Sequence, residues 1–206
     1  MSRRSLALAL LVGALGYAGR AEAQGAGFGM GFSGGYVDIG GGDLADVRSG
    51  FGLTLDLLYR WRSGLSIGFG TELAWPGSDL GQVTEPALAD FQFISVFFEP
   101  RYSFPLSGSG LSPFIAGRVS YARMNVNVFE PPEELPFKAD SDGVEYGGLI
   151  GVEIWLTEAA ALSVAGEVSG LSFGEVKLAD PPTGIPEELG RGRKWGLLAG
   201  IRFLFL

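Results

Sequence analysis

Large apolar residues recur at every second position over much of the chain. Phe51, Leu53, Leu55, Leu57, Tyr59 and Trp61 alternate with Gly52, Thr54, Asp56, Leu58 and Arg60. After the short turn Arg62-Ser63-Gly64, Leu65, Ile67, Phe69, Thr71, Leu73 and Trp75 alternate with Ser66, Gly68, Gly70, Glu72 and Ala74. Successive side chains of a strand point to opposite faces, so a period of two predicts strands. The two runs form a hairpin whose arms match the roughly 9–11 residues of a tilted transmembrane strand.

The same period predicts eight strands: 27–38, 50–61, 65–75, 92–104, 112–123, 144–156, 161–172 and 194–205. The first is the least regular, with Phe28, Met30, Phe32 and Tyr36 spaced by Gly and Ser. Connections alternate in length. Short ones fall at 62–64, 105–111 and 157–160, and long polar ones at 39–49, 76–91, 124–143 and 173–193. Long loops on one side and short turns on the other mark an outer-membrane barrel with both termini at the periplasmic end. The expected fold is all-β: an eight-stranded antiparallel up-and-down transmembrane β-barrel.

A soluble eight-stranded barrel has the same period but buries its apolar face inward. The interior of eight strands is just wide enough for side chains. One face here is crowded with Phe, Tyr, Trp, Leu and Ile, and the other is rich in Gly, Ser and Ala with a few charges. The small face is therefore expected inside and the bulky face in lipid. Tyr59, Trp61, Tyr102 and Phe104 cluster at the turn ends, and Phe51, Trp75, Tyr121, Tyr146 and Trp195 at the loop ends. Two aromatic girdles at the membrane interfaces have this layout. Trp155 breaks the rule, because its parity places it inward.

The segments FEPRYSFPLSGSGLSPFIAGRVSY (Phe98–Tyr121) and GGLIGVEIWLTEAAALSVAGEV (Gly147–Val168), with the closing WGLLAGIRFLFL, resemble the bacterial outer-membrane β-barrel domain family of small OmpA-like and OmpX-like barrels. The resemblance covers nearly all of 24–206 and implies an architecture rather than an activity. The family's assembly signal usually ends on an aromatic residue, whereas this chain ends on Leu206. An Arg at the bilayer midplane costs about 2–4 kcal/mol, so Arg202 is expected inward, with Phe203 and Phe205 in lipid.

Residues 1–23 read as a secretory signal peptide. Arg3 and Arg4 precede the apolar run Leu6–Leu15, and Ala21-Glu22-Ala23 is a small-residue cleavage site. The run is too short for a spanning helix, which needs about 20 residues. The barrel domain is then 24–206, beginning at Gln24. The formal net charge is −8. The leader carries Arg3, Arg4 and Arg20 against Glu22, so the remainder is more acidic still.

There are no Cys and no His among the 206 residues. That removes disulfides, thiolate metal sites and Ser-His-Asp chemistry. Acidity argues against nucleic acid as a partner. The Gly-rich stretches Gly25–Gly35 and Gly40-Gly41-Gly42-Asp43 precede no predicted helix, so neither is a phosphate cradle.

Inward parity carries Asp56, Glu72, Glu99, Glu153 and Glu167 together with Arg60, Arg101, Arg118 and Arg202. Unpaired buried charge is costly, so five acids beside four bases predict an ion-pair network that fills the lumen. Arg101 and Arg118 are expected to reach Glu99, Glu72 or Glu153. A gated proton or ion path through these pairs is the sharper alternative. Paired-carboxylate catalysis by Glu72 and Glu99 lacks a substrate cleft. The third long loop carries Glu130, Glu133, Glu134, Asp140 and Asp142 against Lys138. The fourth carries Glu175, Asp180, Glu187 and Glu188 against Lys177, Arg191, Arg193 and Lys194. These read as solvated outer loops, stiffened by Pro131-Pro132, Pro136 and Pro181-Pro182.

The expected function is an integral outer-membrane barrel with a structural or surface-interaction role. The alternative is a narrow pore or transporter for small or apolar solutes. No enzyme activity, catalytic residue, metal or cofactor is expected, because the outer-membrane barrel enzyme families rely on an active-site His. The expected partners are outer-membrane lipid, lipopolysaccharide and the barrel insertion machinery. The barrel is expected to be a monomer.

Overall fold

The computed structural model describes residues 26–44, 47–78, 88–104, 106, 109–129, 137–178 and 188–205. The leader 1–23, Gln24, Gly25, Glu130, Glu133, Glu134, Asp180, Glu187, the prolines of the last two outer loops and Leu206 lie outside them, as do the side chains of Lys138 and Glu188.

Eight antiparallel strands close into a barrel in sequence order. They are β1 (Gly27–Gly40), β2 (Val47–Arg60), β3 (Leu65–Ser78), β4 (Leu88–Ser103), β5 (Leu111–Phe129), β6 (Phe137–Trp155), β7 (Ala160–Leu178) and β8 (Glu188–Phe205). β1 pairs with β8, with Phe28 opposite Phe205 and Gly40 opposite Arg193. Closure removes both edges, so the strand backbones find their partners within the wall, as a hydrocarbon environment demands.

The strands outrun the expected boundaries on the loop side. β5, β6 and β7 have 19 residues each. Segments expected as loop within 124–143 and 173–193 are paired strand, with Asn125 opposite Asp140 and Ser172 opposite Arg191. Polar residues above a membrane still complete a ladder, so the change in composition marks the water interface and not the end of pairing. The turn side is tight. Gly64 and Gly110 adopt φ of 86° and 63°, a left-handed conformation that glycine adopts without Cβ strain.

The outward face is apolar. Leu57, Ile150 and Val168 are 61%, 69% and 67% exposed. Rings pair along the turn end, Tyr59 with Phe28 and Trp61 at 5.0 and 4.9 Å, and Tyr102 with Phe104 at 4.7 Å. Tyr36 and Trp195 pair at 5.1 Å on the loop side. Phe203 and Phe205 face outward while Arg202 is buried.

The inward face is not only small. Phe93, Phe97, Phe114, Met124, Leu149 and Leu198 are buried inside. Glycines make the room. Phe97 lies across from Gly70 and Phe114 across from Gly151, and in each case the ring occupies the space a Cβ on that glycine would need. Small residues thus admit rings lying flat on the wall.

Candidate functional site

The alternation that sends Leu55 and Leu57 into lipid sends Asp56 and Arg60 inward, and the same holds on every strand. Asp56, Arg60, Glu72, Glu99, Arg101, Arg118, Glu153, Glu167 and Arg202 all reach one lumenal network. Its lower half, towards the short turns, centres on Glu153. Arg60 Nη1 donates to Glu153 Oε2 at 3.2 Å and Arg101 Nη1 to Oε1 at 3.0 Å, while Arg202 Nη1 also donates to Oε1. Arg202 Nη2 reaches Asp56 Oδ2 at 3.1 Å. Arg101 also donates to Glu99 Oε1 through Nη2 at 2.6 Å.

Arg118 joins the halves. Its Nη2 is 2.7 Å from Glu99 Oε2, and its Nη1 is 3.2 Å from Glu72 Oε2 and 3.2 Å from Glu167 Oε2. Guanidinium forks suit this role, because one planar group can hold several carboxylates in fixed directions.

Two members were not foreseen. Lys194, read from sequence as a solvated loop charge, is fully buried. Its Nζ lies 2.6 Å from Glu145 Oε1, 2.8 Å from Glu72 Oε2 and 3.0 Å from Glu167 Oε1. Glu145 was absent from the expected set and is equally buried. Parity carried the signal for both. Lys194 shares its face with Leu198 and Arg202, and Glu145 with Glu153. Among the described residues the lumen therefore holds six acids and five bases, not five and four. The oxygens of Glu72, Glu145 and Glu167 lie within 4.8 Å of one another, a spacing suited to a cation, and the Lys194 ammonium contacts all three.

The inward aromatics serve the cations. Arg101 lies 4.0 Å from the Phe114 ring centroid and Arg118 4.0 Å from that of Phe97. Lys194 lies 5.2 Å from Phe93, and Arg60 5.1 Å from Trp155. All are within the range of cation–π attraction. This resolves Trp155. It faces inward with Leu58, Ala161 and Leu204 and closes the lower end of the lumen.

The upper end is closed by a second apolar layer, including Ile39, Phe91, Phe93, Met124 and Phe173. Leu44, in the 3₁₀ turn Gly42–Leu44 between β1 and β2, folds into it. A cavity of about 30 Å³ remains beside the network, bordered by Gly31, Thr54, Asp56, Arg101, Arg118 and Arg202. That volume suits about one water molecule.

Outside the girdle the charges are solvated. Arg123 Nε lies 2.7 Å and Lys177 Nζ 2.6 Å from Asp142 carboxylate oxygens. Hydrogen bonds from Arg123 and then Lys177 hold the Asp142 carboxyl below the usual range.

A model of the outer membrane protein beta-barrel domain matches residues 5–203. The chain belongs to this family. It is a protein of the bacterial outer membrane. No curated protein sequence matches it. It resembles the Neisserial surface protein A barrel at 18% identity, covering 88% of this chain and 99% of that one, with a TM-score of 0.59. A major outer membrane protein of Thermus thermophilus is similar at 16% identity, 87% and 99% coverage and a TM-score of 0.57. The attachment invasion locus protein Ail of Yersinia pestis, solved with the heparin analogue sucrose octasulfate, matches at 16% identity, 86% and 97% coverage and a TM-score of 0.50. At these identities the likeness is one of fold.

Proposed function

We propose that this barrel is a non-enzymatic structural or surface-interaction protein whose lumen is plugged. One observation carries the reading: the ion-pair network lies between two apolar layers, around Trp155 below and Phe93 above. A hydrated ion moving through would meet side chains already paired and two layers offering it no polar partner, which is costly. The surface role falls to the outer strand ends and loops. Arg123, Lys177, Arg191 and Arg193 are exposed there and suit the phosphorylated headgroups of lipopolysaccharide. Residues 1–23 serve as a cleaved export signal, and 24–206 are delivered to the insertion machinery and stay monomeric. Nucleic acid has no place in this reading.

Single-channel recording in planar bilayers tests it. The expected trace is closed, with at most rare, small steps. Large, stable channels would overturn the plug and favour a narrow pore for small solutes.

A further inference from the structure

The lower half of the network is balanced. Asp56, Glu99 and Glu153 face Arg60, Arg101 and Arg202. The upper half is not: Glu72, Glu145 and Glu167 face Lys194 and Arg118, and Arg118 also serves Glu99. We infer that Glu72 and Glu145 hold one proton between them in the folded barrel at neutral pH.

Among the described residues, every strand of the barrel borders the cage. β3 contributes Glu72, β4 Glu99, β5 Arg118, β6 Glu145, β7 Glu167 and Ser169, and β8 Lys194. β1 and β2 present Val37 and Thr54, which carry no charge. Phe93 and Met124 close the cage on the outer side. Among the described residues no further cation reaches it.

Two oxygens show where the deficit lies. Glu72 Oε1 and Glu145 Oε2 are buried without a hydrogen-bond partner. Their second oxygens are engaged, Glu72 Oε2 by Lys194 and Arg118, and Glu145 Oε1 by Lys194 and by Ser169 Oγ at 2.7 Å. Both oxygens of Glu167 accept from Arg118. A net buried charge with acceptor atoms left bare is expensive, and a proton removes the charge and supplies a donor. A metal ion would have to displace the Lys194 ammonium, which already contacts all three carboxylates.

The buried charge is the same whether or not the lumen conducts. Infrared difference spectroscopy of the full chain in lipid vesicles tests it. At pH 7 the wild type should show the carbonyl stretch of one protonated carboxyl. Glu72→Gln and Glu145→Gln should each abolish it, because an uncharged amide replaces the surplus acid. Lys194→Met should about double it. The wild type should also lose stability as pH rises above the ordinary Glu range, by up to about tenfold in the unfolding equilibrium per unit while the proton is retained. A wild-type spectrum with no protonated carboxyl overturns the inference without any variant. A band that survives both Gln substitutions in folded, heat-modifiable barrels also overturns it, since the proton then lies elsewhere.

Discussion

Arg118 stands directly across the β4–β5 seam from Glu99, and its Nη2 lies 2.7 Å from Glu99 Oε2. The register on either side, Phe98 with Val119 and Arg101 with Ala116, places the two opposite each other. The guanidinium extends past this partner to Glu72 and Glu167. It therefore ties β5 to β3 and β7, with which β5 shares no ladder, through side chains alone. Arg118→Ala should leave carboxylates buried without their cation and destabilise the barrel by about 3–5 kcal/mol, the range for one broken partner of a buried pair. Urea unfolding in vesicles checks this, and an unchanged midpoint would contradict it. Arg118→Lys should fall between, because an ammonium lacks the planar fork.

Leu55 and Thr54 are neighbours with opposite environments. Leu55 is 46% exposed on the outer face and Thr54 is 3% exposed inside. Leu55→Arg should cost about 2–4 kcal/mol, the penalty for Arg near the bilayer midplane. Thr54→Arg should also destabilise, but through crowding in the lumen, since its charge would meet Glu72 on the facing strand. Urea midpoints in vesicles check both, and an unchanged midpoint for Leu55→Arg would refute the assigned faces.

The wall was legible in the sequence because one rule governs it. Alternation of Phe51, Leu53, Leu55 and Leu57 fixes the strand, the face and the solvent at once. The lumen was less legible for two reasons. Lys194 stands one residue before the girdle residue Trp195, where composition already reads as loop, so its parity was overruled by its surroundings. Phe97 and Phe114 require Gly70 and Gly151 on the next strand to make room, and that pairing depends on register between strands, which no single strand displays. Trp155 showed the inward signal openly. What it lacked was a partner, and the Arg60 guanidinium comes from a strand distant in sequence.

Asp142 supplies a contrast outside the membrane. Its carboxyl is held low, first by hydrogen bonds from Arg123 and then from Lys177. A depressed carboxyl contributes stability above the ordinary Asp value of about 3.9 and loses it as pH falls towards the folded midpoint. Carbon-detected NMR titration should therefore give Asp142 a midpoint below that value. Arg123→Ala should raise the midpoint more than Lys177→Ala. High salt should raise it too, because these partners are open to solvent. A midpoint indifferent to both substitutions would show that the ion pairs do not form in solution.

Trp155 closes the lower end of the lumen, and two of its properties can be separated. Its ring packs on Leu58, Ala161 and Leu204, and it lies 5.1 Å from the Arg60 guanidinium. Its Nε1 is buried without a partner, so the indole N–H contributes no bond that a substitution would lose. Trp155→Phe keeps an apolar ring under Arg60 and should cost little. Trp155→Ala removes both the packing and the stacking, and should cost about 3–5 kcal/mol, as large-to-small changes of buried aromatics do. It also removes the apolar layer below the ion pairs. Water should then reach Arg60 and solvent exchange at its guanidinium should quicken, while Arg118, nearer the centre, stays slow. NMR exchange rates of the two guanidinium groups, read with urea midpoints, check the claim. Equal rates at Arg60 in wild type and Trp155→Ala would mean that the indole does not seal the lumen.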